Sequence, residues 1–442
     1  MRTKLSRIGV RAAARGILTA FACALAATVL CAGSARAQEG DLTGSAGVFV
    51  EPRRTRDSAP RAPHRTTPRR ARTKPAPANT SAPANPTAPA NPTAPANAKT
   101  PANAKAPVSA TPTVTAESLN ARAGAAIEEG RFADAVEPLK QALKLKPDFA
   151  DAHYNLGVAL YALGRQDEGV EAFKRAVALD PDDSESQFEL GEALYARGKY
   201  AEAAEAFAHV TRVAQMNAEA FDNLGDSYRA LNRFADAAAA YRDASRLKEG
   251  DTEVLQKLGY ALGRDKRWPE AADALKKALA LKPGDPDTAA NLAWVYNNSG
   301  QYRSSIDLLK PAVAANPNMT AALFNLGTAY GHLAQKGAKN DKERKELFAD
   351  AVETLNQVIR LKPDWPEAHN NLGVALGSLG RFKEAVAAHA EAVRLRPEYA
   401  GALFNLAYAY RKSGDKKAAL ETHKRLQAVN PGMAERLYQQ IK

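Results

Sequence analysis

From Ala116 onward, small, apolar and turn-forming residues return at the same places every 34 residues. Each unit holds two runs of helical pattern separated by a turn, so the pattern predicts two helices per unit and an all-α chain over residues 116–433. The seventh unit is 46 residues long, and the other units keep the period. The nine units begin at Ala116, Ala150, Ser184, Ala218, Thr252, Pro286, Thr320, Pro366 and Ala400.

The most regular positions lie in the first helix of each unit. Position 8 is Gly or Ala in all nine units, as at Gly157, Gly191 and Ala293. Glycine costs about 1 kcal/mol relative to alanine inside a helix, so its recurrence predicts a close approach of two backbones. Position 7 is leucine in eight units and predicts a core contact: Leu156, Leu190, Leu224, Leu258, Leu292, Leu326, Leu372 and Leu406.

Glycine and proline mark the ends of the helices. Position 15 is glycine in six units, where a left-handed residue would end the first helix: Gly130, Gly164, Gly198, Gly300, Gly380 and Gly414. Position 17 is aromatic in seven units and position 20 is alanine in seven. Position 32 is proline in seven units, which predicts the end of the second helix.

This combination of small, glycine, aromatic and proline positions resembles the tetratricopeptide repeat family over residues 116–433. The resemblance implies an α-solenoid, a right-handed superhelix of about nine helix-turn-helix repeats. It also implies a concave inner surface that first-helix positions 2, 5, 6, 9, 12 and 13 face. Residues 434–442 are expected to form a short capping helix. The departures are modest: the first unit has Arg122 instead of leucine at position 7.

Asparagine is the residue that packing does not require. It occupies position 6 in six units, although it is a mediocre helix former: Asn155, Asn223, Asn291, Asn325, Asn371 and Asn405. Its amide matches the donors and acceptors of a peptide backbone. The column resembles the asparagine ladder of O-linked N-acetylglucosamine transferases, which holds an extended polypeptide. Two alternatives stay open: each asparagine bonds a neighbouring repeat, or the column is a relic of duplication.

Aromatic residues share the predicted inner surface. Exposed aromatic side chains supply contact area at low entropic cost, so they are candidate partner-binding residues. Packing between units is the alternative for each of them. The nine candidates lie at positions 5, 9 and 12: Tyr154, Phe188, Phe324 and Phe404; Tyr260, Trp294 and Tyr408; Tyr161 and Tyr195.

The extra residues of the seventh unit lie between His332 and Phe348. Their charged sequence, "KNDKERKE", predicts a longer turn that projects a solvated loop from between the two helices. Insertions of this kind are often functional.

Residues 1–37 have the pattern of a secretory signal. A basic start precedes the apolar stretch Ile17–Leu30, and the small residues Ala35–Ala37 precede a predicted cut at Gln38. An uncleaved N-terminal anchor is the alternative. Because both cysteines, Cys23 and Cys31, lie here, the cleaved chain would have none, which excludes disulfides and thiol chemistry from it. The predicted location is periplasmic or extracellular.

Residues 38–115 are predicted to be a disordered linker. The stretch is basic and proline-rich at first, and then repeats "APAN" every six residues. It carries eleven basic and four acidic residues, whereas residues 116–442 carry 44 and 45. The repeat array is therefore near neutral, and we expect no nucleic-acid partner. The linker is either an inert spacer or a tether whose basic half makes weak contact with an anionic envelope surface.

No catalytic, metal or cofactor motif appears, and the chain outside the repeats leaves no room for an enzyme domain. His389 and His423 occupy position 24, normally an aromatic core place, and are expected to be hydrogen-bonded core imidazoles. The sequence therefore predicts an exported, non-enzymatic scaffold that binds an extended peptide or a helix of a partner protein. The alternatives are an envelope organiser anchored through the linker and a substrate-recruiting subunit for a separate enzyme.

Overall fold

A computed structural model describes residues 114–441 of the chain. The predicted signal segment and almost all of the predicted linker lie outside the described residues. Contacts divide the described chain after Lys248 into two units, which are treated separately below. The N-terminal unit holds repeats one to four, and the C-terminal unit holds repeats five to nine with the terminal helix.

All regular structure in residues 114–441 is helical, in nineteen helices. The N-terminal unit contains α1 Ala116–Glu128, α2 Phe132–Leu145, α3 Ala150–Ala162, α4 Gln166–Leu179, α5 Ser184–Ala196, α6 Tyr200–Val213, α7 Ala218–Ala230 and α8 Phe234–Leu247. The C-terminal unit contains α9 Thr252–Arg264, α10 Trp268–Leu281, α11 Pro286–Asn298, α12 Tyr302–Ala315, α13 Thr320–Lys336, α14 Asp341–Leu361, α15 Pro366–Ser378, α16 Phe382–Leu395, α17 Ala400–Ser413, α18 Lys416–Val429 and α19 Pro431–Ile441.

Each repeat is a helix pair, and the pairs stack in chain order. Inside each unit a second helix packs against the first helix of its own repeat and against the first helix of the next. Successive first helices also touch, as α1 and α3 do in the N-terminal unit and α11 and α13 do in the C-terminal unit. This arrangement confirms the predicted all-α solenoid of two-helix repeats.

The glycines of position 8 bring the two helices of a repeat together. A Cβ on Gly225 would lie 2.5 Å from the Tyr241 ring, and one on Gly157 would lie 2.7 Å from the Phe173 ring. Both rings belong to position 24 of the second helix and are buried. Position 20 alanines such as Ala237 are fully buried beside them. In the six repeats with glycine at position 8, the first and second helices therefore meet at a distance that no β-carbon would permit.

The turn between the two helices needs a left-handed residue, and eight repeats have one. The six predicted glycines have φ between +72° and +95°. In repeats four and five the same place holds Asn232 (φ 57°) and Lys266 (φ 60°). Asparagine tolerates this conformation through its short polar side chain, whereas lysine adopts it at a cost of about 1–2 kcal/mol.

The insertion in repeat seven is helical, so the predicted solvated loop is wrong. α13 runs to Lys336 and α14 begins at Asp341, which leaves a turn of four residues, 337–340. The charged stretch forms the first turns of α14, where Asn340 caps the helix by accepting a hydrogen bond from the Glu343 N–H at 2.9 Å. Lysine, glutamate and arginine are good helix formers, and they form the first turns of α14.

The terminal helix covers the last repeat. α19 begins at Pro431, three residues before the predicted start at Ala434, because proline fits the first position of a helix. Ala434 and Leu437 are buried against α17 and α18 together with Leu426. The otherwise exposed face of repeat nine is thereby removed from water.

We expect Lys266→Gly to stabilise the C-terminal unit. The change relieves the left-handed strain at an exposed turn and should raise the free energy of unfolding by about 1 kcal/mol. Urea denaturation followed by circular dichroism measures the shift. Lys277→Gly, at an exposed site inside α10, is the matched control and should lower stability by about 1 kcal/mol. An equal loss in both variants would contradict the strain at Lys266.

Candidate functional site

The six asparagines of position 6 are buried. Their exposed fractions lie between 0 and 2%. In the N-terminal unit, Asn155 donates from Nδ2 to Oδ1 of Asn120 in the preceding repeat at 2.8 Å. In the C-terminal unit, Asn405 makes the equivalent bond to Asn370 at 3.1 Å. Both acceptors occupy position 5, one residue before the asparagine column.

Three more members of the column bond the preceding repeat in a similar way. Asn223 donates to Glu192 Oε1 (2.6 Å), Asn325 to the carbonyl of Ala290 (2.8 Å) and Asn371 to Thr328 Oγ1 (3.3 Å). Asn291 is 1% exposed within the same column. An amide inside the protein does not present its donors to a partner. The expectation that Asn155, Asn223, Asn291, Asn325, Asn371 and Asn405 face the groove is therefore corrected to an interior ladder between repeats.

Three of the nine candidate aromatics are also core residues. Tyr154 is fully buried, and its ring centroid lies 5.9 Å from that of Phe173. Phe324 is fully buried and stacks on Trp365 at 4.4 Å. Tyr260 is 7% exposed and accepts a hydrogen bond from Arg264 at 2.6 Å. These three side chains pack between or within repeats, which was the alternative for each, and they leave the set of surface candidates.

The other six aromatics are half-buried, with part of each ring at the surface. They remain candidates for contact with a partner. Several rest against a second ring or a cation: Tyr195 meets Tyr200 edge to face at 5.0 Å, and Lys412 Nζ lies 5.3 Å above the Tyr408 ring. The six are Tyr161, Phe188 and Tyr195 in the N-terminal unit, and Trp294, Phe404 and Tyr408 in the C-terminal unit.

A pocket of about 300 Å³ lies among α15, α16 and α17 of repeats eight and nine. Gly377, at position 12 of α15, lines the pocket. The space beside it is open, since an added Cβ would have only the Ala385 Cβ near it, at 3.8 Å. Aromatic and polar groups share its wall, with apolar carbon between them. The side chains that give the pocket its chemistry are Phe382, His389, Asn405, Tyr408 and Lys412.

His389 is the buried polar group of this pocket. It is 3% exposed, and its Nδ1 has no hydrogen-bond partner among the described residues. Its ring lies against Gly373, whose Cβ would come within 2.6 Å of Cε1. Desolvation lowers the pKa of His389 to about 3, so the imidazole is neutral at physiological pH.

Neither histidine of position 24 meets the expectation of a hydrogen-bonded core imidazole in full: His389 is buried but unpaired at Nδ1, and His423 is hydrogen-bonded but only half-buried. His423 Nε2 lies 2.9 Å from the carbonyl oxygen of Ala434. His389, in the same position one repeat earlier, has no such partner at Nδ1, because its ring faces the helical backbone at Gly373 and the pocket. The sequence marks both histidines as unusual, since each replaces an aromatic core residue. Only the structure shows which of the two lacks a hydrogen-bond partner.

Three family models describe the repeats, and all three are tetratricopeptide repeat models. One matches residues 120–184, 167–217 and 223–286, a second matches 264–330 and 376–441, and a third matches 347–380. Together they cover more than half of the chain. The chain belongs to the tetratricopeptide repeat family. Among curated proteins, none matches it at a significant level.

Several solved structures are similar to part of the chain. The crystal structure of MamA is 25% identical, with 36% of this chain and 94% of MamA covered and a TM-score of 0.34. YrrB, a tetratricopeptide protein with an unusual peptide-binding site, is 24% identical, with 45% and 97% covered and a TM-score of 0.35. A thermophilic tetratricopeptide protein of Thermus thermophilus is 22% identical, with 42% and 97% covered and a TM-score of 0.37.

Two properties of the described repeats concern metal ions and membranes. Over residues 114–441 no three histidine, cysteine, aspartate or glutamate side chains are grouped so that they could hold a metal ion. None of the helices in that range is long and apolar enough to cross a membrane. What the array offers is half-buried aromatic area and a pocket with an unpaired imidazole nitrogen.

We expect the asparagine ladder to stabilise the array. Asn155→Ala leaves buried polar atoms of Asn120 without their amide partner and should lower the free energy of unfolding by about 1–3 kcal/mol. Asn120→Ala/Asn155→Ala should cost less than the sum of the single changes. Urea denaturation measures both effects. The exposed amide change Gln141→Ala is the control and should have little effect. A ladder that served only a partner would leave Asn155→Ala as stable as the control.

The stability of the C-terminal unit should fall as the pH falls below about 6.5. The pKa of His389 is 6.5 in the unfolded chain and about 3 in the folded one, so the unfolded chain binds the proton first. This difference alone should remove about 2 kcal/mol between pH 7 and pH 5. The substitution His389→Leu introduces the residue type that repeats five and six have at position 24, Leu275 and Leu309. It should reduce the pH dependence of the free energy of unfolding by that amount. Unfolding titrations of both proteins at pH 5, 6 and 7 test it, and equal slopes would exclude His389 as the source.

Proposed function

We propose that this protein is an exported, non-enzymatic scaffold whose repeats hold an extended segment or a helix of a partner protein. Tetratricopeptide proteins are protein-interaction scaffolds, which supports the general class. The pocket between repeats eight and nine is the single observation that carries the proposal for this chain. It offers concave aromatic surface and a buried polar group that the fold itself does not use.

Aromatic side chains supply the contact area in this proposal. Tyr161 and Tyr195 at position 12, and Trp294 and Tyr408 at position 9, lie on first helices at places that the family resemblance assigns to the inner surface. All four are half-buried, so each is held in place by the fold and still exposes part of its ring. Rigid aromatics of this kind contribute binding energy at a small entropic cost. The asparagine column has no part in the contact, because it is inside the protein.

The charge of the array favours a protein partner over a nucleic acid. Residues 116–442 carry 44 basic and 45 acidic side chains. Many surface charges are already paired within the repeats, as Arg165 is with Glu168 at 2.6 Å and Arg381 is with Glu384 at 2.6 Å. A surface of this kind has no excess of cations to neutralise phosphates.

Export is proposed from the N-terminal sequence. A basic start, an apolar stretch of 14 residues at Ile17–Leu30 and the small residues Ala35–Ala37 support a secretory signal and a periplasmic or extracellular location. The basic linker supports a second proposal, in which the protein organises a cell envelope and residues 38–115 anchor it to an anionic surface. Recruitment of a substrate for a separate enzyme is a third use of the same groove.

Partner capture from the exported fraction of the native cells tests the scaffold. Tyr161→Ala/Tyr195→Ala and Phe404→Ala/Tyr408→Ala should each reduce capture by about tenfold or more, as expected when hot-spot aromatics are lost. Met216→Ala is the matched control, because Met216 is an 82% exposed apolar residue in a turn. Quantitative mass spectrometry of crosslinked complexes gives the measurement, with circular dichroism to check folding. Undiminished capture of the partner by both aromatic variants would contradict the proposal.

Deleting residues 38–113 separates the scaffold from the envelope organiser. If the linker is a spacer, the deletion variant keeps both its location and its partner. Lost attachment to the envelope with intact capture would favour the organiser.

A further inference from the structure

Repeats five and six contain a filled counterpart of the pocket between repeats eight and nine. Gly263 occupies position 12 of α9, as Gly377 does in α15. A Cβ on Gly263 would lie 2.7 Å from Cζ3 of Trp294, the position 9 residue of the next repeat. The indole of Trp294 therefore fills the notch that the glycine leaves. It meets the Trp268 ring edge to face at 5.7 Å.

In repeats eight and nine the same notch is open. Tyr408 stands at position 9 in place of tryptophan, and Phe382 stands where Trp268 does. The smaller rings leave Gly377 with only the Ala385 Cβ within 4 Å of its Cβ position. The result is the pocket of about 300 Å³. The filled counterpart shows that this notch accepts the edge of an aromatic ring.

The inner end of the open pocket is polar, which the filled counterpart is not. Position 24 is Leu275 in repeat five and His389 in repeat eight. The His389 ring is 3% exposed, and its Nδ1 has no hydrogen-bond partner among the described residues. Burial lowers its pKa to about 3, so the neutral ring keeps a nitrogen that can accept a hydrogen bond. Nδ1 is enclosed in this conformation, so an occupant reaches it after a small rotation of the ring, and a hydrogen bond donated there would satisfy a group that the fold leaves unpaired.

We propose that the pocket binds a tyrosine side chain of the partner segment, with the phenol ring beside Gly377 and Phe382 and the phenol O–H donating to His389. The proposal rests on the scaffold function above and names its anchor residue. Phenylalanine would fill the notch but leave His389 unpaired. Lys412, exposed at the rim above the Tyr408 ring, places a cation next to the entering ring or the adjoining backbone.

Binding of p-cresol and toluene to the full chain tests the pocket without a partner. The two probes differ by the hydroxyl group. The ratio of p-cresol affinity to toluene affinity should be about three- to tenfold larger in the native chain than in His389→Leu, because the leucine variant loses one hydrogen bond to the phenol. Ligand-observed NMR titration gives both constants. An unchanged ratio would overturn the role of His389.

An exchange variant provides the matched control. Tyr408→Trp copies Trp294 and should close the pocket to both probes. Adding Trp294→Tyr to this variant should open the counterpart pocket at Gly263, where Leu275 stands in place of His389. Toluene binding should then return, but p-cresol should not be preferred as it is in the native pocket. Undiminished binding of both probes to Tyr408→Trp would show that they bind elsewhere and would overturn the site. A melting temperature close to that of the native chain confirms that each variant is folded.

Amino-acid probes test the identity of the occupant. N-acetyltyrosinamide should bind more tightly than N-acetylphenylalaninamide, and His389→Leu should reduce the difference. A peptide of residues 44–54 of this chain, which contains Phe49, tests the linker as a competitor. Tighter binding of that peptide than of N-acetyltyrosinamide, lost in Tyr408→Trp, would overturn the partner tyrosine in favour of self-occupancy.

The two proposals fail in different ways. In one outcome the probes bind as expected while Tyr408→Trp captures the partner as well as the native chain does. In that case the pocket does not anchor the partner, and the tyrosine proposal is overturned. If capture depends on the half-buried aromatics but the probes do not distinguish His389 from leucine, the scaffold stands and the tyrosine pocket falls.

Discussion

The contact between position 8 of the first helix and position 24 of the second sets the geometry of each repeat. In six repeats position 8 is glycine, and a Cβ there would come within 2.5–2.9 Å of the facing side chain. Each glycine costs about 1 kcal/mol of helix propensity, which the close packing must offset. In repeat six alanine replaces it: Ala293 is at position 8 and Leu309 at position 24, and both are buried. The close approach of the two backbones thus sets the spacing of the helix pair. Positions next to this contact are buried because the helices are so close.

The asparagine ladder follows from that proximity. Position 6 lies two residues before the contact, on the side of the first helix that meets the preceding repeat, so its side chain has no route to water. Buried polar groups gain from hydrogen bonds, and the Nδ2 groups of Asn155 and Asn405 donate across the repeat boundary to Asn120 and Asn370. An apolar side chain would fill the same space without fixing a partner, whereas in five repeats the amide couples the repeat to a defined atom of the one before it.

The repeat, its turns and its caps could be predicted from the sequence because they depend on local and recurring requirements. The leucine of position 7, the small residue of position 8, the glycine of position 15 and the proline of position 32 each have one physical reason, which recurs along the array. The burial of Asn155 could not be predicted, because the spacing does not show how much of the first helix the preceding repeat covers. In repeat two both position 5 (Tyr154) and position 6 (Asn155) are buried. The insertion at Asp341 was misjudged for a different reason: charged residues are common in solvated loops and in exposed helices alike.

The pocket shows how one site in a regular array of repeats comes to differ from the others. Gly263 and Gly377 make the same notch, and one residue in the next repeat decides whether it is filled: Trp294 closes the first, and Tyr408 leaves the second open. The stacking is preserved in both cases, because position 9 lies on the first helix outside the contact between glycine and position 24. The array can therefore vary position 9 without disturbing the helix pair. His389 then supplies the polarity that Leu275 lacks, and the cost of this binding chemistry to the fold is a buried nitrogen that it leaves unpaired.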